Sequence, residues 1–189
     1  PHQLFRYLRY GLTDDGDRTL LEAVRHVPPA HYLKIDLDGN LTPEPVRYWS
    51  LDDQTAESLP FHEAAQQLHE LFIENVRLHL RSDVPVCAAL SGGIDSSAIV
   101  GAARRIGGQE LDLHTYTFVT EEPGIGEREW AECAGRFADA NMHQITPDAE
   151  QLAEGLDRLM QIQGEPVGNA SVFAQMKVFE LAGAHRQKV

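Results

Sequence analysis

Val84-Pro-Val-Cys-Ala-Ala-Leu-Ser-Gly-Gly-Ile-Asp-Ser-Ser-Ala-Ile-Val-Gly-Ala-Ala-Arg-Arg-Ile-Gly107 decides the fold. Val84 to Leu90 is an apolar run of strand length, Ser91 to Ser97 a loop rich in glycine and serine, and Ser96 through Arg105 a helical run that Gly107-Gly108 ends. Two consecutive glycines, Gly92 and Gly93, let a backbone turn sharply and bring its N–H groups against a ligand with no β-carbon in the way. A helix starting near Asp95 directs its positive end and its unsatisfied N–H groups into the same space, and the hydroxyls of Ser91, Ser96 and Ser97 add donors. Converging neutral donors of this kind suit an oxyanion. A Walker loop would place a lysine beside the serines, but this loop places Asp95 there. A carboxylate facing phosphates needs a cation between them, which makes Asp95 a candidate Mg²⁺ ligand. The plainer alternative is a turn that starts a helix capped by Asp95. The full seven residues in a strand-loop-helix setting favour phosphate binding over it.

Outward from the loop, Leu111 to Val119 reads as a second strand, completing a β-α-β unit with a parallel sheet. Glu127 to Ala138, Asp148 to Ile162 and Val172 to Ala184 read as helices. Before the loop, Ala64, Ala65, Leu68, Leu71, Phe72, Val76 and Leu80 predict an amphipathic helix over Phe61 to Leu80 with one buried face. His62, His69 and His79 lie among its polar positions and read as solvated, since no further ligand pattern accompanies them. Further back come a helix around Leu4 to Tyr10, a polar turn at Thr13 to Gly16, then Leu20 to His26 and the break at Pro28-Pro29. His31 to Leu37 alternates with period two, and Asp38-Gly39 supplies a hairpin turn before Leu41. Tyr48-Trp49 closes that hairpin. The stretch rich in Asp, Ser, Thr and Pro that follows sets the expected boundaries: one unit over 1–51, a linker over 52–60 and an α/β domain over 61–189.

The 189 residues allow one ordinary domain, or one small domain plus part of a neighbour. A formal net charge of −13 argues against nucleic acid as a partner. Cys87 and Cys133, far apart, indicate neither a disulfide framework nor a zinc site. No apolar stretch approaches the ~18 residues of a membrane span, so a membrane partner is not expected and a cytoplasmic protein is. The absence of an initiator Met before Pro1 suggests a piece of a longer protein.

Ser91-Gly-Gly-Ile-Asp-Ser-Ser97 resembles the PP-loop of the N-type ATP pyrophosphatases, a group that includes asparagine, NAD and GMP synthetases, argininosuccinate synthetase and some tRNA-modifying enzymes. Its flank is more selective. Thr19 to Leu33, the Asp38-Gly39 turn and Arg47-Tyr-Trp-Ser-Leu51 are similar to the end of the glutaminase domain of glutamine-dependent asparagine synthetases. Glu127-Arg-Glu-Trp-Ala131 resembles that family's helix, Asn141-Met-His143 the strand after it, and Gly164-Glu-Pro166 its Asp-Glu-Pro turn, with Gly in place of the commoner Asp. Asn169 to Gln175 is closer to synthetase-like relatives, which leaves the acceptor carboxylate open.

The resemblance implies a parallel-sheet, adenine nucleotide alpha hydrolase-like domain preceded by the hairpin tail of an Ntn-type, class II glutamine amidotransferase domain. It implies a carbon–nitrogen ligase of amino-acid biosynthesis that uses ATP and Mg²⁺. The β-carboxylate of aspartate would attack the α-phosphorus of ATP, releasing pyrophosphate, and ammonia from glutamine would displace AMP. By the same resemblance Ser91, Gly92, Gly93, Asp95, Ser96 and Ser97 hold pyrophosphate and Mg²⁺, with Asp95 the catalytic and metal-binding carboxylate, and the backbone of Leu90, Phe118 and Val119 holds adenosine. A homodimer is compatible with it. Glu127, Glu129 and His143 read as structural, and Glu165 stands evenly between a site role and a structural one. The family's glutaminase uses an N-terminal cysteine, and with Pro1 first and Cys87 and Cys133 placed elsewhere glutamine hydrolysis by that route is not expected of this chain; Cys87 reads as core, and the family's later Ser-Gly-x-Gly-x-Asp-Glu segment would follow Val189. Catalysis by this stretch alone is therefore not expected. The alternatives are a β-lactam synthetase or lasso-peptide cyclase type of adenylating enzyme, and a non-catalytic ATP-binding module.

Overall fold

The computed structural model describes residues 2–13, 16–39, 43–51, 58–120 and 127–187. It divides into two compact units: Pro1–Ser58 with Gln163–Gly168, and Leu59–Ile162 with Asn169–Val189.

In the first unit, α1 spans His2–Tyr10. Leu20 to His26 is a non-helical loop, because the Thr19 hydroxyl captures its backbone: the single Oγ1–H is shared between the carbonyls of Leu21 and Val24, each at 2.9 Å, and Oγ1 accepts from the Leu21 N–H at 3.0 Å. The strand expected over His31 to Leu37 shrinks to β1, His31–Tyr32, paired antiparallel with β2, Val46–Arg47. Leu33, Ile35 and Leu37 beyond it are exposed, and a two-stranded ribbon with an uncovered face buries too little to extend. The Asp36–Gly39 turn forms, with the Gly39 N–H donating to the Asp36 carbonyl at 3.3 Å. Asp14, Asp15, Leu41 and most of the expected linker lie outside the described residues. Gln163–Gly168 packs within this unit, where the Tyr7 hydroxyl donates to the Val167 carbonyl at 3.4 Å.

The second unit is an α/β domain. Its three strands are all parallel in the order β3 (Cys87–Ala89), β4 (His114–Phe118), β5 (Asn141–Ile145). The strand expected from Val84 joins the ladder to β4 only from Cys87, since Pro85 has no N–H to offer a ladder. The crossover helices α3 (Ile94–Gly107) and α4 (Arg128–Phe137) pack against each other. Val100, Ala102, Ala103, Leu90, Leu113 and Ala131 close the core there. Side chains this small let the helices approach the sheet, and at Gly135 a β-carbon would strike Met142 Sδ. Arg104 ties the far ends together: its guanidinium donates to the carbonyls of Ala138, Gly108, Leu111 and Asp139.

On the other face lies α6 (Ser171–Ala184), over Cys87 and Tyr116. Helix α5 (Ala149–Gln163) approaches α6 where Gly155 meets the Phe173 ring. The remaining helix, α2 (Phe61–His79), corrects the sequence expectation. Only Val76 is buried, with Phe72 and Ile73 partly so, while Leu68 and Leu71 are about two-thirds exposed at 68% and 69%. Periodicity identifies the apolar face of a helix, not what covers it.

Candidate functional site

The Leu90–Ser97 loop sits at the carboxyl end of β3, where open parallel sheets present ligand sites. The glycines differ in their reasons. Gly92 has φ +88°, and a β-carbon on it would come within 2.6 Å of the Ala131 nitrogen and 2.8 Å of the Glu127 carbonyl oxygen. The loop therefore lies directly on the first turn of α4, and only glycine fits. Gly93, the N-cap of α3, is extended at φ −67° and carries no such constraint.

Ser91 and Ser96 lock the loop. Their hydroxyl oxygens are 3.0 Å apart, the Ser91 N–H donates to Ser96 Oγ at 3.3 Å, and the Gly93 N–H donates to Ser91 Oγ at 3.2 Å. These hydroxyls hold the loop backbone in shape. The first-turn N–H groups of α3 have no intrahelical partner, and no side chain caps them. Asp95 is thus not the cap that the plainer reading of the motif required. Its carboxylate is exposed, and no hydrogen bond or ion pair holds it among the described residues.

Beside the loop is an open cavity of about 560 Å³ between the sheet end and α6. Leu90, Tyr116 and Phe118 of the sheet end and Ala174 and Val178 of α6 line it, together with Ser91 and Glu127. Of the residues expected around a nucleotide, Leu90, Ser91 and Phe118 line this space, and Gly92, Gly93, Asp95, Ser96 and Ser97 adjoin it through the loop. Val119 is buried at 2% exposure and is not among the lining residues. The backbone here is largely engaged: the Leu90 N–H donates to the Tyr116 carbonyl, the Val119 N–H donates to the Ile145 carbonyl, and the Leu90 carbonyl accepts from Thr117 Oγ1 at 2.8 Å. Thr117, Ser171 and Gln175 were not singled out from sequence; only their place on β4 and α6 brings them here.

The other candidates fall elsewhere. Glu129 is exposed on α4, and Glu165 lies 3.8 Å from His26 within the first unit. His143 packs on the sheet, stacked on Tyr116 at 4.8 Å between ring centroids and in tilted contact with His185 at 4.3 Å. Burial, then the neighbouring His185 and His114, hold its pKa below the ordinary imidazole value. Cys87 is buried, and burial pushes its thiol up, away from the thiolate a nucleophile needs. No group of three or more His, Cys, Asp or Glu among the described residues could hold a metal ion, and no helix among them is long and apolar enough to cross a membrane.

Residues 67–189 match the family described as asparagine synthase. The chain is 36% identical over 106 residues to asparagine synthetase [glutamine-hydrolyzing] 3 of Bacillus subtilis, an alignment covering 54% of this chain and 16% of that protein. It is 32% identical over 167 residues to amidase chry2 of Gibberella zeae, covering 80% of this chain and 25% of that protein. The chain thus spans a quarter or less of these two curated relatives. Among solved structures it is similar to the glutamine-dependent NAD+ synthetase of Acinetobacter baumannii in complex with ADP, with a TM-score of 0.47, 19% identity, and coverage of 75% of this chain and 30% of that one. With the parallel sheet, the glycine-serine loop and the family match over most of its length in agreement, the chain belongs to the asparagine synthase family.

Proposed function

We propose that this chain carries the ATP-binding part of a ligase that activates a carboxylate, the β-carboxylate of aspartate, as its adenylate, with ammonia from glutamine then forming the amide. One observation supports this reading above the rest. The uncapped N-terminal turn of α3, the exposed unpaired Asp95 and the open cavity meet at one end of the parallel sheet. The roles follow from chemistry. Attack by the carboxylate oxygen on the α-phosphorus forms one P–O bond and breaks the bond to the bridging oxygen, and pyrophosphate leaves with the electron pair. The N–H groups of the loop and first turn, with the hydroxyl of Ser97, stabilise the departing anion. Ser91 and Ser96 keep the loop in the shape that aims those groups. Leu90 and Phe118 wall the adenosine end, with Val119 behind them.

Asp95 fits a Mg²⁺ shared with phosphate oxygens and not a site built from protein ligands alone, since it is exposed, unpaired and without neighbouring ligands in a cluster. Mg²⁺ would neutralise charge on the pyrophosphate. In this reading residues 1–51 are the tail of a glutaminase domain, 52–60 a linker, and 61–189 the first part of the synthetase domain of a cytoplasmic protein that acts on small molecules and is able to pair as a homodimer.

The test is product analysis by phosphorus NMR on the intact protein with ATP, Mg²⁺, aspartate and ammonia. AMP, pyrophosphate and asparagine are expected, with Asp95→Ala reducing turnover at least ~100-fold. AMP with another carboxylate only would discard aspartate, and ADP as the product would end the adenylation reading.

A further inference from the structure

A purine ring in the cavity beside Ser91 would lie between apolar walls, Leu90 and Phe118 on one side and Ala174 and Val178 on the other. A flat ring fits such a slot, but its polar edge still needs partners there. Part of the sheet end is already engaged. The N–H groups of Leu90 and Val119 are already donated within the sheet, and one lone pair of the Leu90 carbonyl is taken by the buried Thr117 hydroxyl at 2.8 Å. Two side chains on α6 are differently placed. Ser171 and Gln175 both line the cavity, both are exposed, and neither side chain is hydrogen-bonded among the described residues. They are four residues apart on one helix, so they stand on the same face.

From this arrangement we infer that Gln175, supported by Ser171, reads the amino-bearing edge of adenine and makes the site selective for that base. A carboxamide presents an acceptor and a donor side by side. Adenine presents the complement, with the 6-amino group donating and a ring nitrogen accepting. A primary amide can flip, and the Ser171 hydroxyl one turn away supplies the contact that fixes which end faces the base. The inference rests on the nucleotide reading of the loop and adds to it the residue that chooses the base. In this placement Gln175 acts on binding alone, because it stands on α6 and not on the loop that faces the phosphates.

The test compares ATP with purine riboside 5′-triphosphate, which lacks only the 6-amino group, as substrates for pyrophosphate release by the intact protein. The wild type is expected to prefer ATP at least ~10-fold in kcat/KM, the loss that one missing hydrogen bond to a committed partner produces. Gln175→Leu removes acceptor and donor and should bring the ratio close to one by raising the KM for ATP, with kcat and the KM for the carboxylate little changed. Gln175→Glu keeps an acceptor for the amino group and should retain part of the preference, and Ser171→Ala should weaken it less than Gln175→Leu. Gln175 is exposed, so these variants are expected to fold. A preference that survives Gln175→Leu overturns the inference and leaves the nucleotide reading standing. A rise in the carboxylate KM alone also overturns it, by moving Gln175 to the acceptor end of the cavity. Pyrophosphate release from neither triphosphate overturns both.

Discussion

The two faces of the parallel sheet are built from different chemistry. On one, α3 and α4 lie on Leu90, Leu113, Val100, Ala102, Ala103 and Ala131, small or compact groups packed closely enough that Gly92 and Gly135 have no room for a β-carbon. On the other, α6 covers a ring stack. His114 and His143 lie side by side with Nδ1 and Nε2 2.9 Å apart, Tyr116 stacks on His143, and His185 closes the group from the end of α6. The first face fixes a backbone position by steric exclusion, which tolerates almost no change. The second is held by orientable polar rings, whose contribution depends on where protons sit. The Ser91–Ser97 loop depends on the first face and the cavity wall on the second.

Breaking the first face should have the largest effect. Gly92→Ala places a methyl within 2.6 Å of a backbone nitrogen at a residue with φ +88°, so strain and collision act together. A loss of about 3–5 kcal/mol is expected from denaturant unfolding, the size that backbone strain with overpacking produces. Gly93→Ala is the control. Its β-carbon would meet only Ser91 Oγ, at 3.3 Å and without positive φ, so it should cost less than about 1 kcal/mol. Equal losses from the two would show that the loop does not rest on α4 as described.

The difference between these glycines marks how much of the site the sequence discloses. Ser91 to Ser97 after an apolar run announces a turn with donors, and the β-α-β order and parallel sheet follow from the runs that flank it. Which glycine is indispensable depends on the first turn of α4, 35 residues or more downstream, and no local pattern carries that. Gln175 carries no assigned role in the sequence for a related reason: it sits in a helix with buried residues at Phe173, Met176, Val178 and Ala182, and only the packing of that helix on β4 brings it to the cavity beside the loop. The ring stack arises from register. Tyr116 pairs with His143 across β4 and β5, which places His114 and His143 together although 29 residues separate them. The weak alternation of Asn141 to Ile145 hid even the strand, which was evident only through family resemblance. Leu68 and Leu71 of α2 erred in the opposite direction, because their spacing promised burial and nothing among the described residues covers them.

A smaller effect should come from acid on the second face. The groups around His143 are His114 and Tyr116 from β4, Cys87 from β3, His185 from α6, and Asp112 before β4. His114 Nε2 lies 3.2 Å from Asp112 Oδ1, so its N–H points to that carboxylate, Nδ1 is the acceptor, and His143 donates its Nε2–H. A proton added to His143 goes into a half-buried site with imidazoles on both sides, and its folded pKa is depressed from the ordinary 6.5. The sign follows from that direction: the stabilisation is present above about 6.5 and is lost as pH falls through the depressed folded value. Melting temperature should therefore decline as pH is lowered from 7 toward 5, and His143→Gln should flatten that decline. A wild-type profile already flat over this range would mean that the rings do not share protons as described.

The smallest effect sharpens the comparison most. Tyr116 is the largest fully buried side chain, 1% exposed, and its hydroxyl has no hydrogen-bond partner among the described residues. Its ring does the packing, against His143, His185, Val178 and Ala182. Burial of an unsatisfied hydroxyl costs stability, while the ring it carries adds to it, so Tyr116→Phe keeps the favourable part and removes the unfavourable one. The variant should be as stable as wild type or more stable by up to about 1 kcal/mol, the reverse in sign of Gly92→Ala one strand away. A loss of more than about 1 kcal/mol would show that the hydroxyl has a partner, and the face under α6 would then be as closely determined as the face under α3 and α4.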